Sequence, residues 1–251
     1  MKDITFIFPE ELTSIKIIPL GDVHRGSQQF DETLFLKTIN KIQKDKSCYT
    51  ILMGDLIDNA LKNSKSDVYQ ATETPQQSIE YIVENLLPIK DKILAITSGN
   101  HEERTSKEAG VCVTKHIAKC LNIEDKYADG PFILFGSISS RIFTIFGTHG
   151  AGGGTSTSSA LNKILNLMQI VPDADIYLMG HTHKPLVAFE TRYLLNKIAK
   201  KHIQHDALYI NGGSFLNFEG SYGEKKLYKP NSKKIPFIIV NNKGEINISI
   251  Q

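Results

Sequence analysis

The sequence predicts an α/β fold, and three observations carry that expectation. Short β-branched runs alternate with amphipathic segments through the first half of the chain. The strand, loop, helix rhythm continues without an internal repeat or a linker that would divide it. At five strand exits a glycine is flanked by Asp, Asn or His. A length of 251 residues with 41% hydrophobic and 22% charged residues is enough to bury a large core, so one domain over 1–251 is expected and disorder is excluded as the main state. Charge is nearly balanced, 29 Lys+Arg against 27 Asp+Glu, which argues against a strongly basic nucleic-acid binder.

The elements follow in order. Ser14 to Leu20 reads as a strand running into Gly21-Asp22. Asp31 to Lys44 reads as a helix with Leu34, Phe35, Thr38, Ile39 and Ile42 on one face. Thr50 to Met53 is a short apolar strand ending at Gly54-Asp55. The next helix has the clearest start, with Thr74 as cap, Pro75 at the first helical position and Gln77 to close a capping box; Pro88 ends it. Ile93 to Thr97 is a strand ending at Ser98-Gly99-Asn100, and Thr105 with Glu108 suggests a capping box opening one helix to about Leu121. Later strands are expected at Ile133–Phe135, Ile142–Phe146, Ile176–Met179 and Leu208–Ile210, with a terminal hairpin around Asn242-Lys243-Gly244. Ala160 to Ile170 and Arg192 to His205 are expected as helices.

Cys48, Cys112 and Cys120 fit no zinc or CxxC spacing and are expected to be buried free thiols in a reducing cytoplasm. The start, Met1-Lys2-Asp3-Ile4, has no long apolar run, and no stretch of about 18 apolar residues exists, so neither a signal peptide nor a membrane span is expected.

The strand exits read Gly21-Asp22-Val23-His24, Gly54-Asp55-Leu56-Ile57-Asp58, Gly99-Asn100-His101-Glu102, Gly147-Thr148-His149-Gly150 and Gly180-His181-Thr182-His183. Five of the eight histidines lie here. Turn-capping Asp and Asn explain any one of these sites, but not the set. Open α/β sheets gather their sites at the carboxyl ends of strands. Hard oxygens mixed with imidazoles suit manganese, iron, zinc or nickel, and two adjacent cations need a shared carboxylate to offset their repulsion. Two ions so held can present a hydroxide to a clamped phosphoryl group.

Together and in this order, the five motifs resemble the calcineurin-like metallophosphoesterase superfamily over about residues 14–216. The resemblance implies a two-sheet β-sandwich flanked by helices. It implies that Asp22, His24, Asp55 and His183 hold one divalent ion, that Asp55, Asn100, His149 and His181 hold the other, and that Asp55 bridges. Manganese is the first expectation; iron, zinc, nickel or magnesium would also suit the set. His101 would lie beside the phosphate as catalytic group. Asp58 is expected to orient a ligand histidine, and Arg104 and Arg25 to meet phosphate oxygens beside Asn100 and His101. Glu102 and Glu103 read as helix-start charges.

Three branches compete for the substrate. Protein Ser/Thr phosphatases carry arginines where this chain has Asn59 and Ser98. Repair nucleases add a capping domain for which little chain remains. The small bacterial and phage-type phosphodiesterases match the length and the Gly-His-Thr-His-Lys-Pro run. The expectation is therefore a two-metal hydrolase of phosphodiesters in nucleotides or nucleic acid, located in the cytoplasm, with a homo-oligomer as an open option. A non-catalytic scaffold of the same fold is the least favoured reading. Residues 150–159 are read either as an anion-binding loop or as a connector, the Asn211-Gly212-Gly213-Ser214 turn as packing below the site, and the Lys197–Lys201 cluster as a solvated face.

Overall fold

The computed structural model describes residues 1–64, 66–154 and 156–250. Two six-stranded sheets face each other, with helices on both outer sides. The first has the order β1 (Lys2–Ile7), β6 (Phe132–Ile138), β7 (Arg141–Thr148), β8 (Ile176–Met179), β10 (Lys201–Asn211), β9 (Leu186–Asn196). The second runs β12 (Ile246–Ile250), β11 (Pro236–Asn241), β2 (Ser14–Leu20), β3 (Cys48–Leu52), β4 (Ile93–Thr97), β5 (Tyr127–Ala128).

Strand periodicity builds the layers. On β2, Ile15 and Ile17 face the other sheet, while Ile18 and Leu20 face the helices. The inter-sheet core joins them to Ile51, Leu94, Leu134, Ile145 and Ile176. Outside the second sheet, α1 (Glu32–Lys44), α2 (Pro75–Leu86) and α4 (Val113–Cys120) bury Phe35, Ile39, Ile82 and Ile117. Outside the first, α5 (Thr157–Leu165) packs Ile164 against Phe146, Tyr177 and Tyr209. The capping box at Thr74 and Gln77 is present, with Pro75 in the first turn. Among the described residues, no helix is long and apolar enough to cross a membrane.

Three expectations are corrected, and one strand is added. Arg192 to His205 is not a helix: it spans the facing ends of β9 and β10, paired antiparallel from Lys201↔Asn196 to Asn211↔Leu186. The reason is tertiary. β10 is fixed by parallel pairing of Leu208 with Ile176 on β8, and β9 folds back along it. The helix expected from Thr105 to Leu121 is two helices. α3 (Glu102–Ala109) stops at Gly110, whose φ of 67° is a left-handed cap, and α4 starts after Cys112. Thr105 does not cap; its hydroxyl exchanges hydrogen bonds with Asn59. The cysteines are free, but only Cys48 is buried, and Cys120 is exposed. The strand β1, whose Ile4 enters the inter-sheet core, was not expected.

Candidate metal centre

β2, β3 and β4 are parallel neighbours in one sheet, and β7 and β8 are parallel neighbours in the other. The His181 amide, after β8, donates to the Asp22 carboxylate, after β2, so the carboxyl ends of both sets open at the same end of the sandwich. The loops after them carry Asp22 and His24, Asp55 and Asp58, Asn100 and His101, His149, and His181 and His183. The backbone is bent sharply there. Asp22, His24, Asp55, His181 and His183 all have φ between 50° and 66°, the left-handed region, which Asp and His tolerate better than most side chains.

Two glycines permit the close approach of the β3 and β4 exits. A Cβ on Gly54 would come within 2.7 Å of the Gly99 Cα, and a Cβ on Gly99 would fall on the Asp55 amide and carboxylate. Across this contact the His101 amide donates to Asp55 Oδ1 at 2.9 Å.

The donors form adjoining groups. Asp22, His24, Asp55 and His183 each offer an atom within 4.8 Å of the others, and so do Asp55, His149 and His181. Asn100 Oδ1 completes the second group, 3.0 Å from His149 Nε2 and 2.8 Å from His181 Nδ1. Asp55 alone belongs to both, as expected of a bridging residue. Asp22, His24, Asp55 and His149 are buried, whereas His183 is about 29% exposed on its side chain.

Backbone acceptors fix which imidazole nitrogen stays free. His149 Nδ1 lies 2.8 Å from the Met53 carbonyl, which leaves Nε2 toward Asp55 at 3.3 Å. His181 is turned the other way: Nε2 lies 2.9 Å from the Gly152 carbonyl, and Nδ1 faces Asn100. His24 presents Nδ1 to Asp58 at 3.6 Å and Nε2 to His183 at 3.2 Å.

The electrostatics fit divalent cations. Burial opposes ionisation of Asp22 and Asp55, yet the surrounding imidazoles hold both carboxyls below the usual range. Burial and neighbouring imidazoles push His24 and His181 down, toward the neutral form that a metal requires. Burial also opposes charge on His149, but the Asp55 bond and charge, with Asp22, push it up to about 10. A proton on His149 thus offsets two buried carboxylates that a cation would otherwise neutralise.

Asp58 and His101 flank the first group. Asp58 Oδ1 is 3.2 Å from His101 Nδ1, which also lies 2.7 Å from the Asp58 carbonyl. Burial favours neutral His101, but the Asp58 bond and the Asp55 charge raise its pKa. Together with His24 these two residues form a third potential donor group. Arg104 Nη2 lies 2.9 Å from His101 Nε2, while its Nη1 donates to the Asp58 carbonyl and the Ser66 hydroxyl.

Arg25 departs from the expectation of a phosphate contact. Nε and Nη2 donate to Glu73 at 2.8 and 2.6 Å, Nη1 reaches Glu32, and the guanidinium lies 3.7 Å from the Tyr81 ring centre. This clamp ties the β2 exit to α1 and α2. Glu102 is the second departure. It opens α3, but its carboxylate is buried at 1% exposure and points away from solvent. Oε2 accepts from the Asp55 and Gly99 amides, both at 2.9 Å, and Oε1 from the Leu56 and Ile57 amides at 2.6 and 3.2 Å. It therefore binds the β3 and β4 exits together. Asn211 behaves as expected, donating to the Gly180 carbonyl and Thr182 beneath the His181–His183 turn.

A cleft of about 260 Å³ opens over the second group, lined by Ser98, Asn100, Glu103, His149, Gly152 and His181 among others. Residue 155 of the expected 150–159 loop lies outside the described residues.

A family model described as calcineurin-like phosphoesterase matches residues 15–185. The chain belongs to that family. The matched span contains every donor residue of the two groups described above. No curated protein matches the chain. A metallophosphoesterase from Sphaerobacter thermophilus is 14% identical at a TM-score of 0.43, covering 95% of this chain and 87% of its own. A conserved uncharacterized protein from Streptococcus pneumoniae, described as a predicted phosphoesterase, is 15% identical at 0.36, covering 96% and 99%. GAP50, described as the anchor in the inner membrane complex of Plasmodium, is 10% identical at 0.41, covering 95% and 84%.

Proposed function

We propose that this metallophosphoesterase hydrolyses phosphodiesters, with nucleotides or nucleic-acid ends as the substrate class. The observation that carries the reading is the pair of adjoining donor groups sharing Asp55. Asp22, His24, Asp55 and His183 would hold one divalent ion, and Asp55, Asn100, His149 and His181 the other. When bound, such ions supply Lewis acidity to a phosphoryl oxygen and make water a better nucleophile at neutral pH.

The chain's own groups do the rest. His101, held at Nδ1 by Asp58, carries a proton to the leaving oxygen from Nε2. Arg104, now against that nitrogen, stands where it can exchange His101 for a phosphate oxygen. Asn100 reaches the second donor group through Oδ1 and lines the cleft.

Charge supports diesters over monoesters. A monoester dianion brings one more negative charge. The side chain of Asn59 is buried and donates to the His101 carbonyl at 2.6 Å, so it supplies no cation. Ser98 is neutral, the Arg25 fork is occupied by Glu73 and Glu32, and Glu103 adds an acid to the cleft. The test is kcat/KM for bis-p-nitrophenyl phosphate and p-nitrophenyl phosphate at one metal and pH, each corrected for intrinsic reactivity. Cyclic nucleotides and single- and double-stranded DNA and RNA complete the panel. A corrected preference for the diester is expected, and a preference for the monoester would refute the proposal.

A further inference from the structure

β9 closes one edge of the first sheet, and no strand of the described residues pairs with its outer side. It is 11 residues long, has no proline, no lysine and no bulge in its pairing with β10, and its two charges, Glu190 and Arg192, are of opposite sign. Its exposed face is apolar. Phe189, Tyr193 and Leu195 alternate along the strand and are 59%, 65% and 77% exposed. They share a face with Val187, which packs on the inter-sheet core, so the stripe continues that core beyond the sandwich.

We infer that β9 pairs antiparallel with β9 of a second copy, joining the first sheets of two chains into one. A two-fold axis perpendicular to the sheet keeps each face on its own side, so only residues of like parity can oppose. An axis at Glu190 or Arg192 would set like charges against each other. An axis at Thr191 opposes Glu190 to the partner's Arg192 and Arg192 to the partner's Glu190. The same register opposes Phe189 to the partner's Tyr193, Val187 to the partner's Leu195, and Thr191 to the partner's Thr191. Ion pairs, aromatic pairs and a Thr–Thr pair are the favourable cross-strand combinations.

Arg192 is anchored on its own sheet. Arg192 Nη2 donates to the Ala174 carbonyl and the Tyr177 hydroxyl, but Nε and Nη1 are buried without an acceptor among the described residues.

The test uses the full chain in sedimentation velocity, and disulfide trapping with Cys112 and Cys120 replaced by Ser. A dimer is expected. Tyr193→Lys with Leu195→Lys, both at exposed positions, should weaken it by about 100-fold or more while leaving the melting temperature of the monomer intact. Glu190→Arg should do the same through like-charge opposition. Thr191→Cys should cross-link with itself. Phe189→Cys should cross-link with Tyr193→Cys when the two are mixed but not with itself, since its own copies lie about 14 Å apart along the strand. A monomer at the highest soluble concentration would overturn the inference. So would a dimer untouched by the double lysine variant, a self-cross-link at 189 instead of 191, or a monomer that binds single-stranded DNA through the Lys197–Lys201 turn.

Discussion

Replacing Glu102 by Gln is the most informative small perturbation of the site's frame. The carboxylate accepts four backbone amides, two on each oxygen. Burial and the Asp55 charge push its pKa up, but four donors leave its oxygens no room for a proton of their own. In either orientation a glutamine amide turns an N–H₂ group toward two N–H donors. Two buried amides then lose their acceptor at about 1–3 kcal/mol each, or about 2–6 kcal/mol in total. The amides concerned belong either to Asp55 and Gly99 or to Leu56 and Ile57, so the bridging residue's loop moves in both cases. Metal affinity should fall by roughly 10- to 100-fold, the scale for residues that orient ligands. Urea unfolding of metal-free protein gives the stability term, and calorimetric metal titration gives the affinity. Lys107→Gln, which removes an exposed pair with Glu103, should stay within about 0.5 kcal/mol and serves as control. A Glu102→Gln protein as stable as wild type, with unchanged metal affinity, would refute the reasoning.

Two further outcomes follow from the geometry. His101→Ala should keep its metal content but lose roughly 10²-fold or more in rate, with the larger loss for poor leaving groups that depend on protonation; elemental analysis and a leaving-group series check both parts, and loss of an ion would make His101 a ligand. Burial works against the Asp45 charge, but Lys16 and Ser47 bring its pKa down to about 2, so its contribution is complete above the unfolded value of 3.8 and lost as pH falls through about 2. Allowing for its partial exposure, Asp45→Asn should cost about 1 kcal/mol at pH 7, fading between about pH 4 and pH 2, as unfolding curves at several pH values would show.

The candidate donors are legible because a strand exit needs a glycine or a left-handed residue, and hydrophobic strands make polar exits stand out. Asp22, His24, Asp55, Asn100, His149, His181 and His183 all meet where the spacing placed them. Glu102 is not, because an acid at a helix start looks the same in sequence whether it faces solvent or four amides. Arg25 misleads for the converse reason: its main acceptor, Glu73, is remote in sequence, and Glu32 looks like an ordinary exposed acid at a helix start. Within the hairpin, Arg192 to His205 reads as a helix because the lysines of its turn mimic a basic helical face, whereas Leu208 to Ile210 reads correctly as a strand. Its alternation becomes visible only once β8 fixes the register of β10. The buried Asn59 shows how a motif position can be legible while its environment is not.

The most direct test of the central claim, two ions sharing Asp55, is metal content and position. Wild-type protein reconstituted with manganese, then freed of excess metal, should hold two ions per chain by elemental analysis. Anomalous density should place both beside Asp55. Asp55→Asn keeps the shape but removes the charge that offsets two cations, and should lose both ions while remaining folded by circular dichroism. A saturated wild-type protein with a single ion, or two ions retained at full occupancy in Asp55→Asn, would contradict the account.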